Sequence, residues 1–311
     1  MVNFRFHLVS LTAVFLALAA GITIGAGVVD RATVDRIERQ LDDVEANRKR
    51  TNTENDALKA DLALWSRFEE QVGDRLVAGR LEGAGVLVVA MAGVDRDVVD
   101  RFTAAVTSAG GAFQGSVWLT GKWALAEENH IRELVGILDL PPNVRVDDLR
   151  TAAAIRIAGD WTATERRGLL AELRDAAFVE FEAPPGAAHS LVELPLPGSV
   201  VVVVSGDAAE VPSAELAHVL VANLSSSGLA VLAAEPARRP DASQPAPTPS
   251  FSAGLRADEE VAARISTVDN LDDYRGRTAA VLAIDRLRAG RTGHYGFGPD
   301  AQRLVPDEEP G

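Results

Sequence analysis

Residues 8–29 form an uncharged apolar run, bounded by Arg5 and His7 on one side and by Asp30 and Arg31 on the other. At about 1.5 Å rise per helical residue it reaches roughly 33 Å, enough to cross a hydrocarbon core of about 30 Å. No other segment of the chain does this. The pattern predicts a single transmembrane anchor over residues 8–29 after a short tail, residues 1–7. A cleaved signal peptide is the competing reading, with an apolar core of about 7–15 residues and a small-x-small site. Ala17-Leu18-Ala19 fits such a site, but the apolar run continues ten residues past it, which favours retention. Gly21 and Gly25 have the small-xxx-small spacing that lets two membrane helices approach closely. The flanking basic residues do not settle orientation. The short tail before the first apolar segment resembles a signal anchor and places the large C-terminal part outside the cytoplasm.

Beyond the anchor the period becomes seven. One register takes Val34, Leu41, Arg48, Asn55, Leu62 and Glu69; the other takes Ile37, Val44, Thr51, Leu58, Trp65 and Val72. Eight of these twelve positions are apolar, at alternating spacings of three and four, and the intervening residues are mostly charged. That is a coiled-coil pattern, predicted over residues 30–80 and about 70 Å long for a helix of residues 30–78. Its seam of Val34, Ile37, Leu41, Val44, Asn55, Leu58, Leu62, Trp65 and Val72 is the candidate surface for self-association or for an envelope protein partner. A seam asparagine such as Asn55 fixes register and strand number. The alternative is a single amphipathic helix packed on the globular part.

After Gly79, Gly83 and Gly85 the pattern changes again. Val86–Ala92 and Val200–Val204 are continuous apolar runs, the signature of fully buried strands. Ala112–Leu119, Phe178–Phe181, Leu229–Ala233 and Ile265–Val268 read as further strands. Asp95–Ala109, a stretch through Ile131 and Leu138, a helix capped by Asp160 or Thr162 and reaching Ala176, Pro212–Ser225 and Thr278–Leu287 read as helices. Alternating buried strands and helices predict an α/β fold, a mainly parallel Rossmann-like sheet flanked by helices. The expected organisation is an α/β domain over 84–234, a Pro-rich loop or linker over 235–255, a strand and helix over 256–297 that complete the domain, and a mobile tail over 298–311.

Composition narrows the function classes. Asp and Glu number 45 against 31 Lys and Arg, a net charge of −14. So acidic a surface repels phosphate backbones and argues against nucleic-acid partners. Lysine is confined to Lys49, Lys59 and Lys122 while arginine is abundant, a bias that weakens any argument from arginine clusters. The lack of cysteine is compatible with an oxidising compartment.

Enzyme chemistry finds no foothold. The turn after the first strand carries Gly93 alone, where a dinucleotide fingerprint needs three spaced glycines, and no phosphate loop is present. Ser205-Gly206-Asp207 follows the strongest strand and reads as a strand-to-helix turn. There is no Gly-x-Ser-x-Gly elbow and no thiol nucleophile. His7, His130, His189, His218 and His294 make no i, i+4 pair, and His218 reads as a satisfied semi-buried histidine. Soft copper sites need thiolates, thioethers or imidazole clusters, and the two methionines, Met1 and Met91, offer none. Asp269, Asp272 and Asp273 read as a solvated acidic turn. No catalytic residue, metal ligand or cofactor is expected.

Two C-terminal motifs stand apart: Ser266-Thr267-Val268-Asp269-Asn270, and Gly293-His294-Tyr295-Gly296, which reads as a compact bend. Together with the opening Phe6–Ile22 and the heptad helix they resemble the actinobacterial copper transport protein family of the MctB type, over the whole chain. The resemblance implies an envelope protein of a mycolate bacterium, from a family described as an outer-membrane channel that keeps intracellular copper low. It also implies, as a second possibility, the membrane partner in a cell-separation complex that regulates peptidoglycan hydrolases. An outer-membrane pore is normally a closed barrel of alternating strands, whereas the strands here are few, short and buried. The residues themselves point to a membrane-anchored oligomeric scaffold that is not an enzyme. Whether the inner or the outer membrane holds it is left open.

Overall fold

The computed structural model describes residues 4–186, 190–238 and 249–307, with the side chains of residues 4, 26–33, 66, 69–71 and 74 excepted. Met1, His189 and residues 239–248 of the Pro-rich segment lie outside the described residues. Helix α1 runs from Phe4 to Val77. It ends where Gly79 and Gly83 take left-handed backbone angles, φ +72° and +71°, which suit glycine because it has no Cβ to clash. The chain then continues through β1 (Gly85–Met91), α2 (Arg96–Ser108), β2 (Ala112–Leu119), α3 (Glu128–Ile137), α4 (Val146–Thr162), α5 (Leu169–Asp175), β3 (Val179–Glu182) and β4 (Val200–Val204). It closes with α6 (Ala217–Ser226), β5 (Ala230–Ala234), α7 (Phe251–Ala257), α8 (Glu259–Ala262), β6 (Ile265–Val268), α9 (Tyr274–Arg288) and β7 (His294–Tyr295). By internal contacts the chain divides into two units, Met1–Ser66 and Arg67–Gly311.

The first unit is helical throughout its described residues. Arg5–Gly25 has a mean hydropathy of 2.2 and is long and apolar enough to cross a membrane. A Cβ placed on Gly21 or Gly25 would meet nothing within 4 Å. Farther along, the apolar seam residues Val34, Ile37, Leu41, Val44, Leu58, Leu62 and Trp65 are all exposed.

The second unit is built on one sheet, in the order β3-β2-β1-β4-β5-β6-β7. All pairings are parallel except β2 with β3. β4 is five valines, each fully buried, so both faces of the sheet are covered at its centre. β-branched residues suit such a strand because they pack on a pleated surface without competing hydrogen bonds. Helices α2 and α9 contact each other and the sheet, and α6 contacts β5 together with α4 and α7. Strand order reverses between β1 and β4, so the carboxyl ends of those strands form the crevice at which open α/β sheets bind ligands.

Four sequence expectations change. The helix drawn from Asp160 or Thr162 to Ala176 is two helices. Asp160 lies inside α4, and its carboxylate accepts from the backbone N–H groups of Arg167 and Leu169 at 2.6 and 3.1 Å, at the start of α5. The bend at Gly293–Gly296 contains β7, a parallel strand beside β6. In the segment taken as a linker, Phe251–Ala257 is helical. In the polar tail, Gly296 N–H donates to Arg303 O at 2.9 Å and Gln302 N–H to His294 O at 2.8 Å, so the chain there is tied to β7.

Candidate functional site

The two C-terminal motifs are brought together by strand pairing. β6 carries Ser266, Thr267 and Val268, and β7 carries His294 and Tyr295, with Thr267 opposite His294 and Val268 opposite Tyr295. Gly293 N–H donates to Ser266 Oγ at 3.1 Å, and Thr267 N–H returns a bond to Gly293 O at 3.1 Å. Val268 is fully buried against β5.

Arg256, from α7, locks this pair of strands. Its Nε donates to Thr267 Oγ1 at 2.8 Å, Nη2 to Tyr295 O at 2.9 Å, and Nη1 to Asp269 Oδ2 at 2.7 Å and Pro299 O at 3.1 Å. Asp269 also accepts from Phe297 N–H at 2.7 Å and Gly298 N–H at 3.0 Å. A buried carboxylate with three donors and a buried guanidinium with four acceptors satisfy one another, which is what makes such burial tolerable. Gly296 adopts φ +128°, and a Cβ there would overlap the Asp269 carboxylate, so only glycine fits. Gly293 is similarly closed in by the Tyr295 ring. Thr267 Oγ1 lies 3.1 Å from His294 Nδ1. Burial and the neighbouring Arg256 charge push the His294 pKa below the usual imidazole value. With Oγ1 accepting from Arg256 Nε, the Thr267 hydroxyl is placed to donate a hydrogen bond to Nδ1 of a neutral His294 ring. Asn270 is buried, and its Nδ2 donates to Asp273 Oδ1 at 3.2 Å. The motif residues therefore form a packed polar clamp.

The crevice at the strand-order reversal is about 450 Å³ and is lined by Gly93, Asp95, Arg101, Asp207, Glu235 and Arg238 among others. Its floor is interlocked. Glu210 N–H donates to Ala92 O at 2.8 Å, and a Cβ on Gly93 would overlap the Ala208 carbonyl. The lone glycine thus admits the loop after β4. The turn Ser205-Gly206-Asp207 is held by Arg238, which donates from Nε and Nη2 to the two Asp207 oxygens at 2.7 Å each.

Helix N-termini at this edge are natural anion sites, and three of them hold the chain's own carboxylates. Asp95 accepts from Asp97 N–H at the start of α2, and Asp273 accepts from Gly276 N–H at the start of α9. Glu235, buried, accepts from Ser250 Oγ at 2.8 Å and from the N–H groups of Phe251 and Ser252 at 3.0 and 3.1 Å, at the start of α7. Burial raises the Glu235 pKa above the ordinary carboxylate value, with those hydrogen bonds opposing it.

Of the potential soft-metal donors, His7 is exposed on α1, whereas Met91, His218 and His130 are separately engaged. Met91 is buried in β1. His218 stacks on Phe251 with ring centroids 5.4 Å apart and Nε2 3.0 Å from Phe251 O. Burial lowers the His218 pKa, against the Phe251 bond and the Asp258 charge. His130 lies 3.6 Å from Glu127. Among the described residues no group of three or more His, Cys, Asp or Glu side chains is arranged to hold a metal ion. Asp269, Asp272 and Asp273 do not form a solvated acidic turn: Asp269 is buried against Arg256, Asp272 accepts from Ala237 N–H at 2.6 Å in the segment after β5, and Asp273 caps α9.

On the first unit, Leu58, Leu62 and Trp65 are 60%, 65% and 63% exposed. Asn55 lies on the same exposed stretch of helix, and Val72, in the second unit, is also exposed. Sequence reasoning missed Arg256 and Glu235, the two charged groups that organise the clamp and the α7 start. Arginine is common along the chain, which hides the two buried ones among the described residues, Arg150 and Arg256.

Two comparisons with known proteins agree. The family model described as "Copper transport outer membrane protein, MctB" matches residues 1–306. Copper transporter MctB of Mycobacterium tuberculosis is 29% identical across 98% of this chain and 99% of its own length. Copper transporter MctB of Mycobacterium leprae is 26% identical over the same shares. Matched almost end to end, from the apolar opening to the clamp, this chain belongs to the MctB family of copper transport outer membrane proteins.

Proposed function

We propose that this chain is a membrane-anchored envelope protein of copper homeostasis that acts as an oligomeric scaffold through the seam of residues 34–72, and not through a metal site of its own. The observation that carries this reading is the row of exposed Val, Leu, Ile and Trp side chains at alternating spacings of three and four. Exposed apolar surface of this extent marks an interaction surface, and the heptad period suits another helix. The self-capped helix ends and the interlocked crevice support a body that binds no nucleotide and catalyses no reaction. A single apolar helix cannot enclose a pore by itself, because a packed helix about 10–12 Å across has no lumen; assembly through the seam brings the anchor helices of different copies together. The anchor is retained, spans once, and carries the larger unit on the extracytoplasmic side.

A second reading has the same seam capture an envelope protein in a cell-separation complex that regulates peptidoglycan hydrolases. The exposed Trp65 favours it, since tryptophan is enriched at the centres of protein interfaces. One experiment separates these. Cells lacking the native chain are given the Leu58→Asp/Leu62→Asp variant. The scaffold reading in copper homeostasis expects normal membrane levels of the variant and lost copper tolerance with normal cell separation. Full copper tolerance with a separation defect supports the second reading.

A further inference from the structure

We infer that the seam of residues 34–65 pairs with the same seam of a second copy as a parallel, in-register, two-stranded coiled coil; this rests on the scaffold reading and names its partner. Three features of α1 lead there. Polarity comes from the anchor: the stretch able to cross a membrane lies at the start of α1, which is one continuous helix from Phe4 to Val77. Two copies inserted in one membrane with the same orientation present their seams in the same direction, so the pair is parallel.

Strand number comes from the polar seam positions. In heptad terms Val34, Leu41, Arg48, Asn55 and Leu62 occupy a, and Ile37, Val44, Thr51, Leu58 and Trp65 occupy d. In a two-stranded coil the polar end of an a residue reaches the flank of the seam, whereas three or four strands enclose it. Arg48 and Asn55, one heptad apart at a, fit two strands.

Register comes from charge. Glu54 is the g residue before Asn55, and Lys59 is the e residue that follows Leu58. In a parallel in-register pair each g residue faces the next e residue of the other helix. Glu54 then meets Lys59 of the second copy, twice per dimer by symmetry, on either side of an Asn55–Asn55 pair. In the single chain these groups make only loose intrahelical pairs, Arg50–Glu54 and Lys59–Asp56, each at 3.9 Å with all four side chains mostly in solvent. Nothing in those pairs opposes the exchange. A slip of one heptad sets Asn55 against Arg48 or Leu62 and loses the symmetric pair of bridges.

The chain has no cysteine, so a single introduced thiol reports on one position. Full-length protein in detergent is expected to show the mass of two chains by light scattering. Under mild oxidation Leu41→Cys and Leu62→Cys are expected to give disulfide-linked dimers, because facing a positions lie within the Cα separation a disulfide needs, while Ala46→Cys on the outer face is expected to give none. Lys59→Glu is expected to raise the dissociation constant about tenfold, and Glu54→Lys/Lys59→Glu to restore it. A mass of three or more chains, a mass of one chain, failure of the Leu62→Cys link or failure of the charge swap to restore association overturns the pairing. The scaffold reading is judged separately, by the copper tolerance of the Leu58→Asp/Leu62→Asp strain, so a trimer with lost tolerance would overturn the dimer and leave the scaffold standing.

Discussion

Arg256 and Asp269 form an ion pair at 2.7 Å in which the two side chains are 1% and 6% exposed. The pair joins α7 to β6, and through Tyr295 O, Pro299 O and the Phe297 and Gly298 N–H groups it also fixes the chain after β7. Removing one partner leaves the other charge buried and uncompensated. Asp269→Asn is expected to cost about 3–5 kcal/mol and to lower the Tm by roughly 10 °C. In a double-mutant cycle with Arg256→Met, the combined loss is expected to fall short of the sum of the single losses by more than about 1 kcal/mol. Additive losses in calorimetry would mean that the two side chains do not depend on each other.

Gly93 meets the Ala208 carbonyl where a Cβ would sit and has φ +92°. Gly93→Ala is therefore expected to destabilise by at least about 2 kcal/mol, from a strained backbone and a displaced loop. Gly159, inside α4, has nothing within 4 Å of a Cβ position. Gly159→Ala is expected to stabilise by about 0.5–1 kcal/mol through helix propensity. Urea titrations of the two variants check both signs.

His218 and His294 both have folded pKa values below the ordinary 6.5. Between each folded value and 6.5 the unfolded chain binds more protons, so the unfolding free energy falls as the pH drops below about 6.5. Glu235 acts in the opposite sense: its raised folded pKa costs stability as the pH rises above 4.5. His294→Asn, which keeps an acceptor near Thr267, is expected to flatten the loss between pH 6.5 and 5. An unchanged pH slope in thermal melts would show that His294 titrates in the folded protein as it does unfolded.

Copper offers a test of the site chemistry. The side chains of Met91, His218 and His294 are buried or already hydrogen-bonded, and a soft ion needs several accessible donors converging on it. Calorimetric titration of Cu(I) or Cu(II) into the full-length protein is expected to give no tight stoichiometric binding. A one-to-one site of submicromolar affinity would contradict the proposed scaffold role.

Much of the sheet was legible because burial on both faces leaves unbroken apolar runs, as in Val86–Ala92 and Val200–Val204. The short polar strand β7 was not, since His294 and Tyr295 become a strand only by pairing with β6. Helix α4 escaped for a different reason: its buried residues, from Leu149 to Trp161, include Arg150 and many alanines and show no one-sided stripe. Arg150 is held by the Trp123 and Ala124 carbonyls, at 3.1 and 3.0 Å. Neither this contact nor the Arg256 clamp can be read from a sequence in which arginine is common everywhere. Residues 266–270 and 293–296 stood apart in the sequence as two separate motifs; that strand pairing brings them together around Arg256 depends on a parallel register that local patterning does not encode.

Self-association through the exposed seam is tested most directly by the molar mass of the full-length protein in detergent, measured by light scattering for the native chain and for Leu58→Asp/Leu62→Asp. The native chain is expected as an oligomer, and the variant as a monomer whose melting transition is unchanged. A native chain that runs as a monomer, or a variant that keeps the native mass, would contradict the seam as the assembly surface.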